Sequence, residues 1–223
     1  IGNFRTALVN FLFARKEKGH FMLRIDDTDH ERSTLEFEKA IIEDLSWMNL
    51  NWDSLEKQST RLKRYDEVLE TLLDKKRAYA CYETADELSL KRKVQLSSGK
   101  PPVYDRSSLR LSDSEIADLK SKGKKPHYRF LLDHSEVTWN DLVKGQGKYH
   151  MSSLSDPVIL REDGRVIYTL ASVVDDIDFE ITHILRGEDH MTNSAAQIQL
   201  FEALGSTAPN LGHLSLLTDI SGA

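Results

Sequence analysis

Two short apolar runs, Phe21-Met22-Leu23-Arg24-Ile25 and Ile181-Thr182-His183-Ile184-Leu185, each break off into a dense polar cluster. The first gives way to Asp26-Asp27-Thr28-Asp29, the second to Arg186-Gly187-Glu188-Asp189-His190. A short run with three or four apolar residues out of five, bounded in this way, reads as a strand. In open α/β sheets the crevice beyond the carboxyl ends of the strands receives the ligand. Both clusters would face that crevice. One arginine among several carboxylates suits a small zwitterion or a dicarboxylate: Arg186 can grip a carboxylate through its fork, and Asp26 can hold an ammonium group. Tyr168, expected on a strand returning to the host sheet, can add a hydroxyl. Acidic residues after strands also serve as ordinary N-caps and loop residues, so either cluster alone is weak evidence.

The rest of the pattern supports an α/β host. Phe4, Ala7, Leu8, Phe11, Leu12 and Ala14 recur at helical spacing, with Lys16, Lys18 and Gly19 at the expected C-terminus. Ser33-x-x-Glu36 predicts a capping box ahead of a helix with Ile41, Ile42, Leu45 and Met48 on one side. Leu62, Tyr65, Leu69, Leu72 and Leu73 mark another helix. The first 77 residues thus read helix, strand, helix, helix. Near Ala78 the composition changes. Strands are expected over 79–82, 127–132, 136–142 and 158–161, with a capping box at Thr84-x-x-Glu87 and a hairpin turn at Asp163-Gly164. After Arg165 the host pattern resumes: a strand over 181–185, a helix capped by Asn193 and stopped by Gly205, and a last strand over 213–218.

Charge follows the same partition. The 223 residues carry a net charge of −6, which on its own argues against a polyanionic partner. Between Lys91 and Arg129, however, eleven basic residues stand against four acidic ones, a net of +7. The remainder is then at −13. A basic module inside an acidic host is the electrostatic footprint of phosphate contact, although a solvated lysine-rich surface has the same composition.

Several other chemistries are disfavoured. No stretch approaches the roughly 20 apolar residues of a membrane span, and one cysteine, Cys81, precludes an internal disulfide and fits a reducing compartment. Asp27-x-Asp29-x-Glu31 resembles a calcium loop, but Arg32 replaces the required glycine. Gly145-Gln146-Gly147 lacks a third glycine and reads as a hairpin turn. No Ser/His/Asp triad, lysine phosphate loop or zinc spacing is legible, so any chemistry rests on substrate positioning and electrostatics.

At this point the longer motifs become recognisable. Gly2-Asn3-Phe4-Arg5-Thr6-Ala7-Leu8, Leu23-Arg24-Ile25-Asp26-Asp27-Thr28-Asp29 with Glu31-Arg32-Ser33-Thr34, Val173-Val174-Asp175-Asp176 and Ile181 through His190 resemble, in order and spacing, the catalytic domain of bacterial-type glutamyl-tRNA synthetases. The resemblance covers essentially the whole chain. It implies a class I synthetase: a Rossmann-like α/β catalytic domain, halves 1–78 and 166–223, with an inserted α+β acceptor-stem-binding domain at 79–165. It makes Asp26, Tyr168, Ser172 and Arg186 glutamate-binding candidates. Gly2, Asn3, Asp189 and Leu217 fall at ATP-site positions, and Asp29 and Arg32 near the tRNA terminus. The implied substrates are glutamate, ATP with Mg2+, and a glutamate-accepting tRNA, with glutamine tRNA as a further candidate. The implied protein is a cytoplasmic monomer with no membrane partner.

The departures carry expectations too. Many relatives have Glu at the position of Asp26 and Asn at that of Ser172; the shorter groups enlarge that side of the pocket or admit a water. Relatives that bind zinc in the insertion use a Cys-x-Cys pair and a later Cys, where this chain has Cys81-Tyr82-Glu83 and no Cys over 104–108, so no zinc is expected. The chain starts inside the family's HIGH signature and stops at Ser221-Gly222-Ala223, ahead of the KMSKS-like lysine loop and the anticodon-binding region. Without those phosphate-stabilising groups, this segment alone is expected to have little or no activity. Glutamyl-queuosine tRNA synthetase and a non-catalytic tRNA-binding module are the alternative readings.

Overall fold

The computed structural model describes residues 2–29 and 33–217, with the side chains of Gly2 and Asn3 outside that description. Two parallel strand pairs frame the host. β1 (Met22–Ile25) pairs with β2 (Ser54–Lys57), Met22 opposite Ser54 and Ile25 opposite Lys57. β8 (His183–Gly187) pairs with β9 (Asn210–Leu214), His183 opposite Asn210. No backbone ladder joins the two pairs among the described residues. They are tied through helices instead. Asn10 on α1 (Gly2–Lys16) donates to the Leu185 carbonyl at 2.8 Å, and Arg24 on β1 reaches α6 (Tyr168–Asp178).

Between the pairs, α2 (Leu35–Trp47) and α3 (Leu62–Asp74) precede β3 (Ala78–Cys81), α4 (Ala85–Ser97) and α5 (Asp113–Ser121). β3, β4 (His127–Phe130) and β7 (Val158–Leu160) form an antiparallel sheet in the order β3-β4-β7. β5 (Glu136–Asp141) and β6 (Gly145–His150) form a hairpin. α7 (Met191–Ala203) lies between β8 and β9 in sequence. Tyr65, Val68, Leu69 and Leu72, at i, i+3, i+4 and i+7 of α3, are buried together. The same core takes in Phe130, Met151 and Ile159 from the middle segment, Leu170 and Val173 from α6, and Leu200 from α7.

Several expectations shift. α2 is capped by Thr34, whose hydroxyl accepts from the Phe37 N–H at 3.3 Å, and not by Ser33, whose own N–H is already bonded to the Asp29 carbonyl. On α2 only Leu45 is buried; Ile41 and Met48 face solvent. Tyr168 opens a helix and not a strand: extended Ile167 immediately before it accepts backbone N–H groups from Leu170 and Ala171. α7 starts before Asn193, because a 3-10 turn over Glu188–His190 runs directly into it. The last strand ends at Leu214 and not at 218. Gly145-Gln146-Gly147 is strand and not turn, since the turn is made by the three residues before it. Gly147 is required there by packing, as a Cβ would fall 2.3 Å from the Trp139 ring. β2 was not foreseen: with one apolar residue in Ser54-Leu55-Glu56-Lys57, it has no legible pattern. The Thr84–Glu87 capping box forms, as does an unforeseen one at Ser112–Glu115. Gly164 (φ +84°) closes the expected turn between Arg161 and Arg165.

Candidate amino-acid site

α6 begins beside the carboxyl end of β8 and carries Tyr168 and Ser172 one turn apart on the same face. These two residues anchor two different arginines. Arg186, the fourth residue of β8, is buried, and its Nη1 donates to the Tyr168 hydroxyl at 2.9 Å. Its Nη2 donates to Ser194 Oγ at 2.5 Å and Gln197 Oε1 at 2.7 Å, both on α7. Every one of these partners is neutral, and no carboxylate among the described residues forms an ion pair with Arg186. Its Nε is buried without an acceptor. A buried guanidinium whose hydrogen-bond partners are all neutral and which keeps a spare donor can receive an anion, because a buried charge gains from a close counter-charge.

Arg24 is the opposite case. Its Nε donates to Asp26 Oδ1 at 2.7 Å, its Nη1 to Asp176 at 2.8 Å and its Nη2 to Ser172 Oγ at 3.2 Å, with Asp175 3.6 Å away. Burial alone would lower the Arg24 pKa, but Asp26, Asp176 and Asp175 outweigh it and hold the guanidinium charged. Burial pushes Asp176 up to about 6, against the pull of Arg24. Asp175 is fully buried and accepts from Gln58, Arg61 and Tyr65 at 2.7–3.0 Å. Asp26 and Ser172 therefore sit together on Arg24, while Tyr168 sits with Arg186. The four candidate glutamate residues fall into two adjoining pairs bridged by α6.

The remaining candidates are more dispersed. Asp29 pairs with Arg165 at 2.8 Å. Asp27 belongs to the scaffold, accepting the Ser59 N–H and hydroxyl at 2.8 and 2.7 Å. Asp189 is mostly exposed, and its carboxylate packs so close to Gly187 that a Cβ there would lie 2.3 Å from Oδ1. Leu217 is exposed. Arg32 and the side chains of Gly2 and Asn3 lie outside the described residues. Arg24, Ser194 and Gln197 were missed as site residues. Arg24 had a signal: it is the one charged residue inside the first apolar run.

The basic segment divides. Arg106 forks onto Asp156 at 2.8 Å, and buried Arg129 stacks 4.3 Å over Tyr104, so both are internal. Arg92, Lys93, Lys100, Lys120 and Lys125 remain on the surface. Beside them Cys81, Glu83, Tyr104, Ser107 and Ser108 form one cluster, with both Glu83 oxygens accepting hydroxyls at 2.5–2.8 Å.

Residues 1–223 match the family of tRNA synthetases class I (E and Q), catalytic domain. The chain belongs to that family. It is 56% identical over 217 residues to glutamate–tRNA ligase 1 of Rickettsia felis, covering 97% of this chain and 48% of that protein. The corresponding ligase of Rickettsia bellii is also 56% identical over 217 residues, with 97% of this chain and 49% of that protein covered. A solved glutamate tRNA ligase of Elizabethkingia meningosepticum, in complex with its amino acid, superposes with a TM-score of 0.90 at 31% identity, covering 97% of this chain and 47% of that one. Glutamate-tRNA synthetase of Elizabethkingia anophelis gives 0.92 at 31% identity, covering 100% and 48%. The chain spans about half the length of the curated relatives it matches. As a class I synthetase catalytic domain it has the Rossmann-like α/β fold, and the two strand pairs and the helices around them are its parts.

Proposed function

We propose that the full-length protein is a glutamate–tRNA ligase, and that this chain supplies its amino-acid site. The observation that carries the reading is Arg186, a buried cation with only neutral partners, set where an amino acid would lie beyond the end of β8. It grips a glutamate carboxylate. Tyr168 adds its hydroxyl, Asp26 presents negative charge to the ammonium group, and Ser172, held by Arg24, shapes the wall between them. The name of the Rickettsia relatives and the bound amino acid of the Elizabethkingia neighbour support this choice of substrate.

The reaction needs no protein nucleophile. A glutamate α-carboxylate oxygen attacks the α-phosphorus of ATP, the bond to pyrophosphate breaks, and glutamyl-adenylate forms. A ribose hydroxyl of the terminal tRNA adenosine then attacks the acyl carbon and AMP leaves. The chain's contribution is to hold the reactants in line and neutralise charge. ATP enters with Mg2+ as substrate, near Gly2, Asn3, Asp189 and Leu217. The family resemblance assigns Asp29 and Arg32 to the tRNA end, and the exposed lysines of the middle segment suit its phosphates. We divide the chain into catalytic halves at 1–78 and 166–223 around a tRNA acceptor-stem insertion at 79–165. No zinc is assigned to this insertion, because Glu83 stands where zinc-binding relatives have the second cysteine of their pair and residues 104–108 hold no cysteine; Glu83 instead accepts hydroxyls from Tyr104, Ser107 and Ser108. The family resemblance is the ground for reading the protein as a cytoplasmic monomer. No helix among the described residues is long and apolar enough to cross a membrane.

The test is glutamate-dependent ATP–pyrophosphate exchange by the full-length protein, with and without tRNA. Exchange that requires glutamate is expected, and no exchange under either condition rejects the reading. Charging of glutamate and glutamine tRNAs side by side then measures how strictly the tRNA is chosen.

A further inference from the structure

Behind Arg186 lies a chain of buried groups that no step of the reaction uses. Its Nη2 rests on Ser194 Oγ at 2.5 Å, and Ser194 Oγ lies 2.8 Å from His213 Nε2. His213 Nδ1 makes a short hydrogen bond to Asp141 Oδ2. Ser194 and His213 are wholly inaccessible, and so is the Asp141 side chain. The three residues come from α7, β9 and the last position of β5.

The order resembles a hydrolase triad, but Ser194 Oγ is enclosed and already faces a guanidinium, so no substrate carbonyl can approach it. What the order does determine is polarity. Asp141 Oδ1 accepts the backbone N–H groups of Val143, Lys144 and His213, each at 3.0 Å, and Oδ2 accepts Trp139 Nε1 at 3.2 Å as well as the His213 ring. Burial would raise the pKa of Asp141, but the His213 ring and these backbone donors hold it below the usual carboxylate range, so it is an anion. A carboxylate on Nδ1 requires the proton there, and in the neutral ring Nε2 is then an acceptor. Ser194 Oγ has two acceptors in reach, Nε2 at 2.8 Å and the His190 carbonyl at 3.2 Å; the shorter contact takes its hydrogen, and its lone pairs face Arg186. With the opposite tautomer, His213 would donate to Ser194 and leave a ring lone pair against Asp141.

We propose that Ser194, His213 and Asp141 are positioning residues that fix the rotamer of the Arg186 guanidinium and so tie the seating of the β5–β6 hairpin to the amino-acid site. Asp141 sits at the mouth of the hairpin turn. Lys144, in the same turn, ion-pairs with Glu188 and donates to Ser215 at 2.8 Å, which pins the turn beside the end of β8. A displaced hairpin would release His213, then the Ser194 hydroxyl, then one of the supports of Arg186.

The inference rests on Arg186 being the carboxylate-binding residue, and the test separates the two claims. In the full-length protein, Ser194→Ala removes the acceptor beside Arg186. His213→Asn keeps a donor toward Asp141 but withdraws the acceptor from Ser194. Each is expected to raise the glutamate KM in pyrophosphate exchange about tenfold, the scale of one hydrogen bond to a charged group, with the ATP KM changed less than twofold. In an Arg186→Lys background, Ser194→Ala should add less than twofold, since the group it positions is gone. Urea midpoints check folding, and Ser194→Cys, whose thiol is a much weaker hydrogen-bonding group, carries the same expectation if Ser194→Ala does not fold. An unchanged glutamate KM in the folded Ser194 variants, equal rises for glutamate and ATP, or full additivity with Arg186→Lys overturns the relay. If Arg186→Lys shows a glutamate-specific loss and the Ser194 variants show none, only the relay is rejected. If Arg186→Lys leaves the glutamate KM untouched, the ligand assignment fails and the relay falls with it.

Discussion

Asp176 offers a direct test of the electrostatics around the site. Its carboxyl is about nine-tenths buried, 2.8 Å from Arg24, with Asp175 as its neighbour in sequence and Arg186 close enough to be felt. Burial is the dominant influence and lifts its pKa from the ordinary 3.8 to about 6. At about 1.36 kcal/mol per tenfold in acidity, the ionised form costs the fold about 3 kcal/mol relative to the protonated one. The sign follows from proton counting. Between pH 4 and 6 the folded state holds a proton that the unfolded state has lost, so the contribution of Asp176 is complete below about pH 4 and disappears as pH rises through about 6.

Asp176→Asn removes that titration along with the ion pair to Arg24. The pair to Arg24 exists only while Asp176 is ionised, and its attraction is already contained in the value of about 6, so the pH-dependent part of the difference comes from this one titration. The stability difference, variant minus wild type, should therefore become more favourable to the variant by about 2 kcal/mol between pH 4.5 and 7.5. Urea denaturation of both full-length proteins at four or five pH values in that range measures it. A difference that stays flat with pH would show that Asp176 titrates normally and that Arg24, not burial, sets its charge. A difference of the opposite slope would refute the reasoning altogether.

Three further outcomes can be checked alongside it. Tyr168→Phe deletes one of the three hydrogen-bond partners of Arg186 and should raise the glutamate KM about tenfold in pyrophosphate exchange; a KM within twofold of wild type would place Tyr168 outside the site. Gly147→Ala puts a methyl group 2.3 Å from the Trp139 ring, which is stacked on Tyr149. It should cost about 1–3 kcal/mol in urea denaturation, and an unchanged midpoint would contradict the hairpin packing. Glu83 is held at about 2, burial being outweighed by the Ser107, Ser108 and Tyr104 hydroxyls. Its stabilisation is present above 4.5 and lost as pH falls toward 2, so Glu83→Gln should lower stability at pH 7 while flattening the decline into acid.

The parts of the fold legible in the sequence are those in which one short pattern carries its own meaning. α3 announced itself through Tyr65, Leu69 and Leu72, and α4 through Thr84 and Glu87. β2 did not, because its pairing is supplied by the backbone ladder to β1 and leaves no mark on four mostly polar side chains. The sequence pattern puts Tyr168 on a strand returning to the host sheet. Its helix is stabilised by the burial of Leu170, Ala171, Val173 and Val174, a tertiary effect. The site divided in the same manner. Arg186 and Asp26 stand in polar clusters at strand ends and could be found. Ser194, Gln197, His213 and Asp141 are separated from Arg186 by 8 to 45 residues and lie on three elements, and only the folded chain brings them together.

The contrast between the two buried arginines is what gives the site its direction. Arg24 meets Asp26, Asp176 and Asp175 within 3.6 Å, so its charge is already balanced and an incoming anion would gain little there. Arg186, one helix face away, meets a phenol, a hydroxyl and a carboxamide, all of them dipoles and none an anion. Dipoles orient a guanidinium without neutralising it. A dicarboxylate with an ammonium group is therefore sorted by charge: one carboxylate to Arg186, and the cation to the acidic side at Asp26, where Arg24 satisfies Oδ1 at 2.7 Å but reaches Oδ2 only at 3.4 Å. If Arg186 takes one glutamate carboxylate as proposed, neither arginine of this pair is left for the second, which is the group the proposed reaction needs as its nucleophile.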